Sequence, residues 1–119
     1  MKRIAVVEDN ADNRLLLDAI LSDDYELIEY ETGISALEGI KKDSPDLVLL
    51  DISLPGMDGT EVLANLRQIE QFKNLPIIAL TAHAMSGDRE KYLAAGFNEY
   101  VSKPIVDEET LFQAIQSLI

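Results

Sequence analysis

The chain has 119 residues, of which 22 are Asp or Glu against 10 Lys or Arg, for a formal net charge of −12, and it has no cysteine. A chain of this length with 47% hydrophobic residues is expected to form one domain over residues 1–119 with a core of its own. Disulfide frameworks, thiolate metal sites and cysteine nucleophiles are excluded. The first 60 residues hold 14 of the acids and only five of the bases, which leaves no basic stripe for nucleic acid and no basic amphipathic segment for a membrane surface.

In chain order, the run Ile4-Ala5-Val6-Val7 reads as a strand, closed by Glu8 and Asp9. A helix follows, capped by Asn10 or Asp12, with Leu15, Leu16, Ala19 and Ile20 as its expected apolar face. A weaker apolar stretch around Tyr25 to Tyr30 is the second strand, and Thr32 caps a second helix whose apolar residues are Ile34, Leu37 and Ile40. Leu47-Val48-Leu49-Leu50 is the third strand and ends at Asp51; a helix after Gly59 carries Val62, Leu63, Leu66 and Ile69. Pro76-Ile77-Ile78-Ala79-Leu80 is the fourth strand, ending at Thr81. The fourth helix, with Tyr92, Leu93 and Ala94, is expected from near Ser86 to Gly96. Tyr100-Val101 is a short fifth strand leading to Lys103, and Leu111, Ala114, Ile115 and Leu118 mark a last helix after Asp107. Continuous apolar runs are the signature of strands buried on both faces, and strict alternation of strand and helix gives a doubly wound α/β fold with a parallel sheet. No apolar run reaches the ~18 residues of a membrane span, and four apolar residues between Met1-Lys2-Arg3 and Glu8 do not make a signal peptide. A cytoplasmic location is expected.

Ligands of such sheets lie beyond the carboxyl ends of the strands. Glu8, Asp9, Asp51, Thr81 and Lys103 all fall there. Singly, Glu8 and Asp9 read as acids before a helix and Thr81 as a cap. Together, three carboxylates repel unless a cation joins them, and an oxygen-only set favours Mg²⁺. Lys103 is then a point-charge partner for Asp51 or for a phosphoryl group.

Four pieces, in order, carry a resemblance: Val7-Glu8-Asp9-Asn10, Leu49 to Gly59 through Asp51-Ile52-Ser53-Leu54-Pro55-Gly56, Ala79-Leu80-Thr81-Ala82, and Tyr100-Val101-Ser102-Lys103-Pro104. Over its whole length the sequence resembles the receiver domain of two-component response regulators. The resemblance implies a flavodoxin-like (βα)5 fold with sheet order 2-1-3-4-5, and a phosphoacceptor at Asp51. It implies Mg²⁺ held by the side chains of Glu8, Asp9 and Asp51 and the backbone carbonyl of Ser53, with Glu8 acting through water. Thr81 and Lys103 would meet the phosphoryl oxygens, Ala82 would leave access to the pocket, and the Lys103–Pro104 bond would be cis. Thr81 and Tyr100 would form the switch. The implied partners are a sensor histidine kinase or histidine phosphotransfer protein, and a downstream protein docking on the fourth helix, fifth strand and fifth helix. The chain is expected to act as a stand-alone regulator, monomeric or dimerising on phosphorylation, and not as an enzyme beyond self-phosphotransfer and slow self-dephosphorylation.

His83, two residues beyond Thr81, could influence access of water to an acyl phosphate, although a plain loop side chain is the simpler reading. Tyr25, Tyr30 and Tyr92 read as packing or surface aromatics, and Asp58-Gly59-Thr60 as turn chemistry before a helix. Three other functions compete. A Mg²⁺-dependent aspartyl-phosphate phosphohydrolase would carry a second Asp two residues after the nucleophile, where this chain has Ser53. A flavodoxin-like cofactor carrier would not place Glu8-Asp9-Asn10-Ala11-Asp12 after its first strand. A pseudo-receiver, used only for interactions, would not need Asp9, Asp51, Thr81 and Lys103 together.

Overall fold

The computed structural model describes residues 1–82, 88–103 and 108–119. Five strands, β1 (Arg3–Val7), β2 (Glu26–Tyr30), β3 (Leu47–Asp51), β4 (Ile77–Thr81) and β5 (Glu99–Ser102), alternate with α1 (Ala11–Leu21), α2 (Gly33–Asp43), α3 (Gly59–Arg67), α4 (Asp88–Ala95) and α5 (Glu108–Leu118). The sheet is parallel throughout, in the order β2-β1-β3-β4-β5. Both the doubly wound architecture and the strand order agree with the expectation from sequence. A short 3-10 turn at Glu70–Phe72, which the sequence patterning did not reveal, joins α3 to β4.

Side chains of a strand alternate between faces, and the three central strands use that alternation to build two cores. Ala5, Val7, Val48, Leu50, Ile77 and Ala79 point to one face, where Ala36 and Ile40 of α2 and Val62, Leu63 and Leu66 of α3 cover them. Ile4, Val6, Leu47, Leu49, Ile78 and Leu80 point to the other, under Leu17 and Leu21 of α1 and Leu111 and Ile115 of α5. Every residue of β3 and β4 is buried, which explains why those strands read as unbroken apolar runs. The edge strand β2 shows an exposed-to-half-buried pattern, hence its weaker signal.

The helix starts follow capping chemistry. Asn10 Oδ1 accepts from the Asn13 N–H at 3.1 Å, Thr32 and Ser35 make a reciprocal capping box, and Asp58 Oδ1 accepts from the Glu61 N–H at 3.0 Å. Asp58 also accepts from the Thr60 hydroxyl, and these bonds hold its carboxyl below the usual carboxylate range. Turn and cap chemistry thus accounts for the Asp58-Gly59-Thr60 segment.

Two expected helix faces are corrected. In α1, Leu15 is 67% exposed and Leu16 40%, while Leu17 and Leu21 face the sheet. The inward face begins with the half-buried polar pair Asn13 and Arg14, which disguises the apolar stripe. In α2, Ile34 is 59% exposed, and the small residues Gly33 and Ala36 pack inward with Ile40. α4 rests on Tyr92 alone among its described side chains, with Leu93 and Ala94 exposed. The described part of this helix begins at Asp88, and the expected start at Ser86 lies outside the described residues.

Candidate functional site

Strand register determines which residues meet. Val7 pairs with Leu50, Asp51 with Leu80, and Thr81 with Ser102. Glu8 therefore leaves β1 beside Asp51, Thr81 ends the next strand, and Lys103 follows β5. Past the strand ends the ladder continues: the Glu8 N–H donates to the Tyr30 carbonyl at 3.1 Å, Ile52 N–H to Leu80 at 3.0 Å, and Lys103 N–H to Thr81 at 2.8 Å. The side chains thus project from rigid backbone. Gly59 packs directly against this strand end, since a Cβ there would overlap the Asp51 carbonyl oxygen. Only glycine lets α3 start so close to the acidic strand end.

Three polar side chains at this edge are almost fully enclosed: Glu8 (1% exposed), Asp51 (2%) and Thr81 (1%). Lys103 answers the buried charge. Its Nζ lies 3.1 Å from Glu8 Oε2 and 3.1 Å from Asp51 Oδ2. The Ser53 N–H donates to the other Asp51 oxygen at 3.0 Å. Glu8 Oε1 accepts from Asn13 Nδ2 at 3.1 Å and from the Asn10 N–H at 3.3 Å. Burial pushes the Glu8 carboxyl up; the Asn13 bond opposes that, the Asp51 charge reinforces it, and Lys103 opposes it. Burial alone would lower Lys103, yet its hydrogen bonds to Glu8 and Asp51 outweigh that and hold its pKa above the ordinary lysine value.

Asp9 stands exposed at the rim, and one oxygen each from Glu8, Asp9 and Asp51 lies within 4.8 Å of the others. This oxygen-only set fits a small hard cation such as Mg²⁺, which keeps several waters and takes one or two carboxylates. The structure thus brings Glu8, Asp9, Asp51, Ser53, Thr81 and Lys103 to one edge, as the strand-end argument required. Ala82 is exposed directly after Thr81, and Tyr100 is half-buried on β5. His83 and Pro104, with the expected cis bond, lie outside the described residues.

Three participants were missed in the sequence. Asn13 reaches back to Glu8, and Arg14 Nη1 donates to the Glu8 carbonyl at 2.8 Å while its guanidinium pairs with Glu31 at 3.3 Å. Their signal was their place on the same helix face as Leu17 and Leu21. Tyr92, read as a packing or surface aromatic, shares a hydrogen bond of 3.0 Å with Thr81 Oγ1. Nothing in its sequence spacing pointed to that contact.

Comparisons with known proteins agree with this geometry. Residues 4–116 match the response regulator receiver domain family. The polar-differentiation response regulator DivK of Brucella ovis is 42% identical over 105 residues, covering 87% of this chain and 85% of DivK. Chemotaxis response regulator CheY4 of Vibrio cholerae superposes with a TM-score of 0.91 at 28% identity, covering 100% of this chain and 99% of CheY4. The receiver domain of sensor histidine kinase PA1611 from Pseudomonas aeruginosa, solved with a magnesium ion coordinated in its active site cleft, gives 0.88 at 36% identity, covering 98% of this chain and 96% of that one.

Proposed function

Because the chain belongs to the response regulator receiver domain family of two-component signalling, we propose that it accepts a phosphoryl group on Asp51 from a sensor histidine kinase or a histidine phosphotransfer protein. An Asp51 carboxylate oxygen attacks phosphorus and a new O–P bond forms. The P–N bond of the phosphohistidine breaks, its electron pair stays on the imidazole nitrogen, and that nitrogen takes up a proton. With a small acyl phosphate the P–O bond breaks instead and a carboxylate leaves. The observation that carries this reading is Lys103, whose ammonium lies 3.1 Å from both Asp51 and Glu8. It already supplies the positive charge that a phosphoryl group on Asp51 requires.

Glu8, Asp9 and Asp51 are the proposed side-chain holders of Mg²⁺, with Glu8 acting through water and Ser53 through its carbonyl. When bound, the ion supplies positive charge against the developing phosphoryl charge. Glu8 suits an indirect role because its two oxygens are engaged by Asn13, Asn10 and Lys103. Thr81 and Lys103 take the phosphoryl oxygens in this reading, and the exposed Ala82 leaves the approach open. Self-hydrolysis is the only expected turnover, since Ser53 stands where a phosphohydrolase would carry a general acid–base.

Phosphorylation adds about −1.5 to −2 charges, and Thr81 and Tyr100 are the proposed switch that relays them. The proposed target docks on α4, β5 and α5. There a groove of about 420 Å³, lined by Arg89, Glu99, Tyr100 and Gln113 among others, opens beside Tyr100. Residues 1–119 act in this proposal as one receiver unit, monomeric or dimerising on phosphorylation. Intact-mass spectrometry after incubation with acetyl phosphate tests it. One added phosphoryl group, lost without Mg²⁺ and lost in Asp51→Ala, is the expected result; unchanged labelling of Asp51→Ala overturns the assignment.

A further inference from the structure

Two buried hydroxyls meet at the end of β4. Thr81 Oγ1 and Tyr92 OH lie 3.0 Å apart, and the two residues are only 1% and 6% exposed. Tyr92 belongs to α4, whose other described side chains are exposed. Its ring meets Phe97 edge-on with centroids 6.0 Å apart and planes at 86°, and Tyr100 at 6.0 Å and 42°. The ring is therefore wedged between two aromatic neighbours, and its hydroxyl is held against the residue proposed to receive a phosphoryl oxygen.

We propose that Tyr92 is a positioning residue that latches Thr81 in the unphosphorylated arrangement, so that its hydroxyl sets how readily the phosphorylated state forms. The inference rests on the phosphoacceptor reading of Asp51 and adds a regulator to it. A phosphoryl oxygen only accepts hydrogen bonds, so Thr81 must give its single hydroxyl proton to the group on the neighbouring strand, and it keeps Tyr92 only as a donor and only while the two oxygens stay in range. Tyr92 does not follow, because the edge-on contact of its ring with Phe97 holds it. A displacement of Thr81 by about an ångström carries the Thr81–Tyr92 contact beyond hydrogen-bonding range. Phosphorylation thus exchanges one Thr81 bond for another and leaves the Tyr92 hydroxyl to find a new partner beside Tyr100. Since Tyr92 lies on α4 and Tyr100 on β5, the exchange delivers the change directly to the proposed docking face.

The test is beryllofluoride binding, as a mimic of the acyl phosphate, followed by NMR in saturating Mg²⁺. Tyr92→Phe keeps the ring and removes only the hydroxyl. It is expected to bind beryllofluoride about five-fold more tightly, the ratio that one net hydrogen bond is worth, with its Mg²⁺ affinity unchanged. In a Thr81→Val background the same substitution is expected to have no effect on beryllofluoride affinity. Equal or weaker binding by Tyr92→Phe, a matching change in Mg²⁺ affinity, or a gain that persists with Thr81→Val would each overturn the latch. Failure of the folded, Mg²⁺-bound parent chain to bind beryllofluoride would overturn the phosphoacceptor reading, and the latch with it.

Discussion

Replacing Lys103 by Met removes the ammonium and keeps a chain of similar length, leaving two enclosed carboxylates facing each other. Unit charges 3.1 Å apart attract by about 5 kcal/mol at an effective dielectric near 20, so the lysine supplies two such interactions. Glu8 and Asp51 oxygens within 4.8 Å of one another repel by about 3 kcal/mol on the same scale. Desolvating three ions cancels much of the gross attraction, and the measurable loss on breaking a buried pair is about 3–5 kcal/mol. Lys103→Met should therefore lose about that much stability at pH 7.5 without Mg²⁺. Acid should relieve it. Glu8 is already pushed above its ordinary 4.5 in the folded chain, and losing Lys103 pushes it further. A carboxyl raised on folding adds stability that is complete below its unfolded pKa and is lost as pH rises through the folded value. The penalty should thus be small near pH 4.5 and grow toward neutrality, and Mg²⁺ should relieve it at pH 7.5 by replacing the missing charge. Urea denaturation followed by circular dichroism at both pH values, with and without Mg²⁺, measures this. A loss below about 1 kcal/mol, or one independent of pH and Mg²⁺, would refute the view that Lys103 compensates buried charge.

Two further outcomes follow from hydrogen bonds the structure shows. Asn13→Ala leaves Glu8 Oε1 with only the 3.3 Å contact to the Asn10 N–H. It should cost about 1–2 kcal/mol in urea denaturation and weaken Mg²⁺ binding measured by calorimetry, whereas unchanged values would make the Asn13 contact incidental. The Tyr30 hydroxyl donates to Asp43 Oδ2 at 2.7 Å, and its ring lies where a Cβ on Gly39 would sit. Burial, then the Asp43 bond, push this phenol well above its ordinary value of 10. That contribution is complete below pH 10 and is lost as pH rises above it. Tyr30→Phe should lose about 1 kcal/mol at neutral pH and show a shallower alkaline decline than the parent. Parallel alkaline curves for the two proteins would contradict this.

How much was legible in the sequence depended on how directly burial writes itself into residue type. β1, β3 and β4 are covered on both faces, so their apolar runs stood out, and Glu8, Asp9, Asp51 and Thr81 at their ends were placed by topology, as was Lys103 after the shorter β5. Asp51 stood out because a charge at the end of a buried strand is physically expensive, and Lys103 followed as the cation that could answer it. The helix faces were harder. Leu15-Leu16-Leu17 offers three adjacent leucines, and the sheet selects Leu17 and Leu21 because Asn13 and Arg14 must share their face to reach Glu8. Ile34 was misplaced because α2 packs inward through the small residues Gly33 and Ala36, and a Cβ on Gly33 would overlap the Met57 carbonyl oxygen and Val62 of α3. The Thr81–Tyr92 bond joins residues on different elements, and a contact of that kind leaves no periodic trace in either one.

Asp51 is the proposed carrier of the phosphoryl group. The most direct test reduces the phosphorylated chain with borohydride, which converts an aspartyl phosphate to homoserine, and then maps the product by peptide mass spectrometry. Homoserine at position 51, formed only after phosphorylation with Mg²⁺ present, is the predicted result. Conversion at Asp9 or another acid, or a phosphoryl group found on His83 instead, would contradict it.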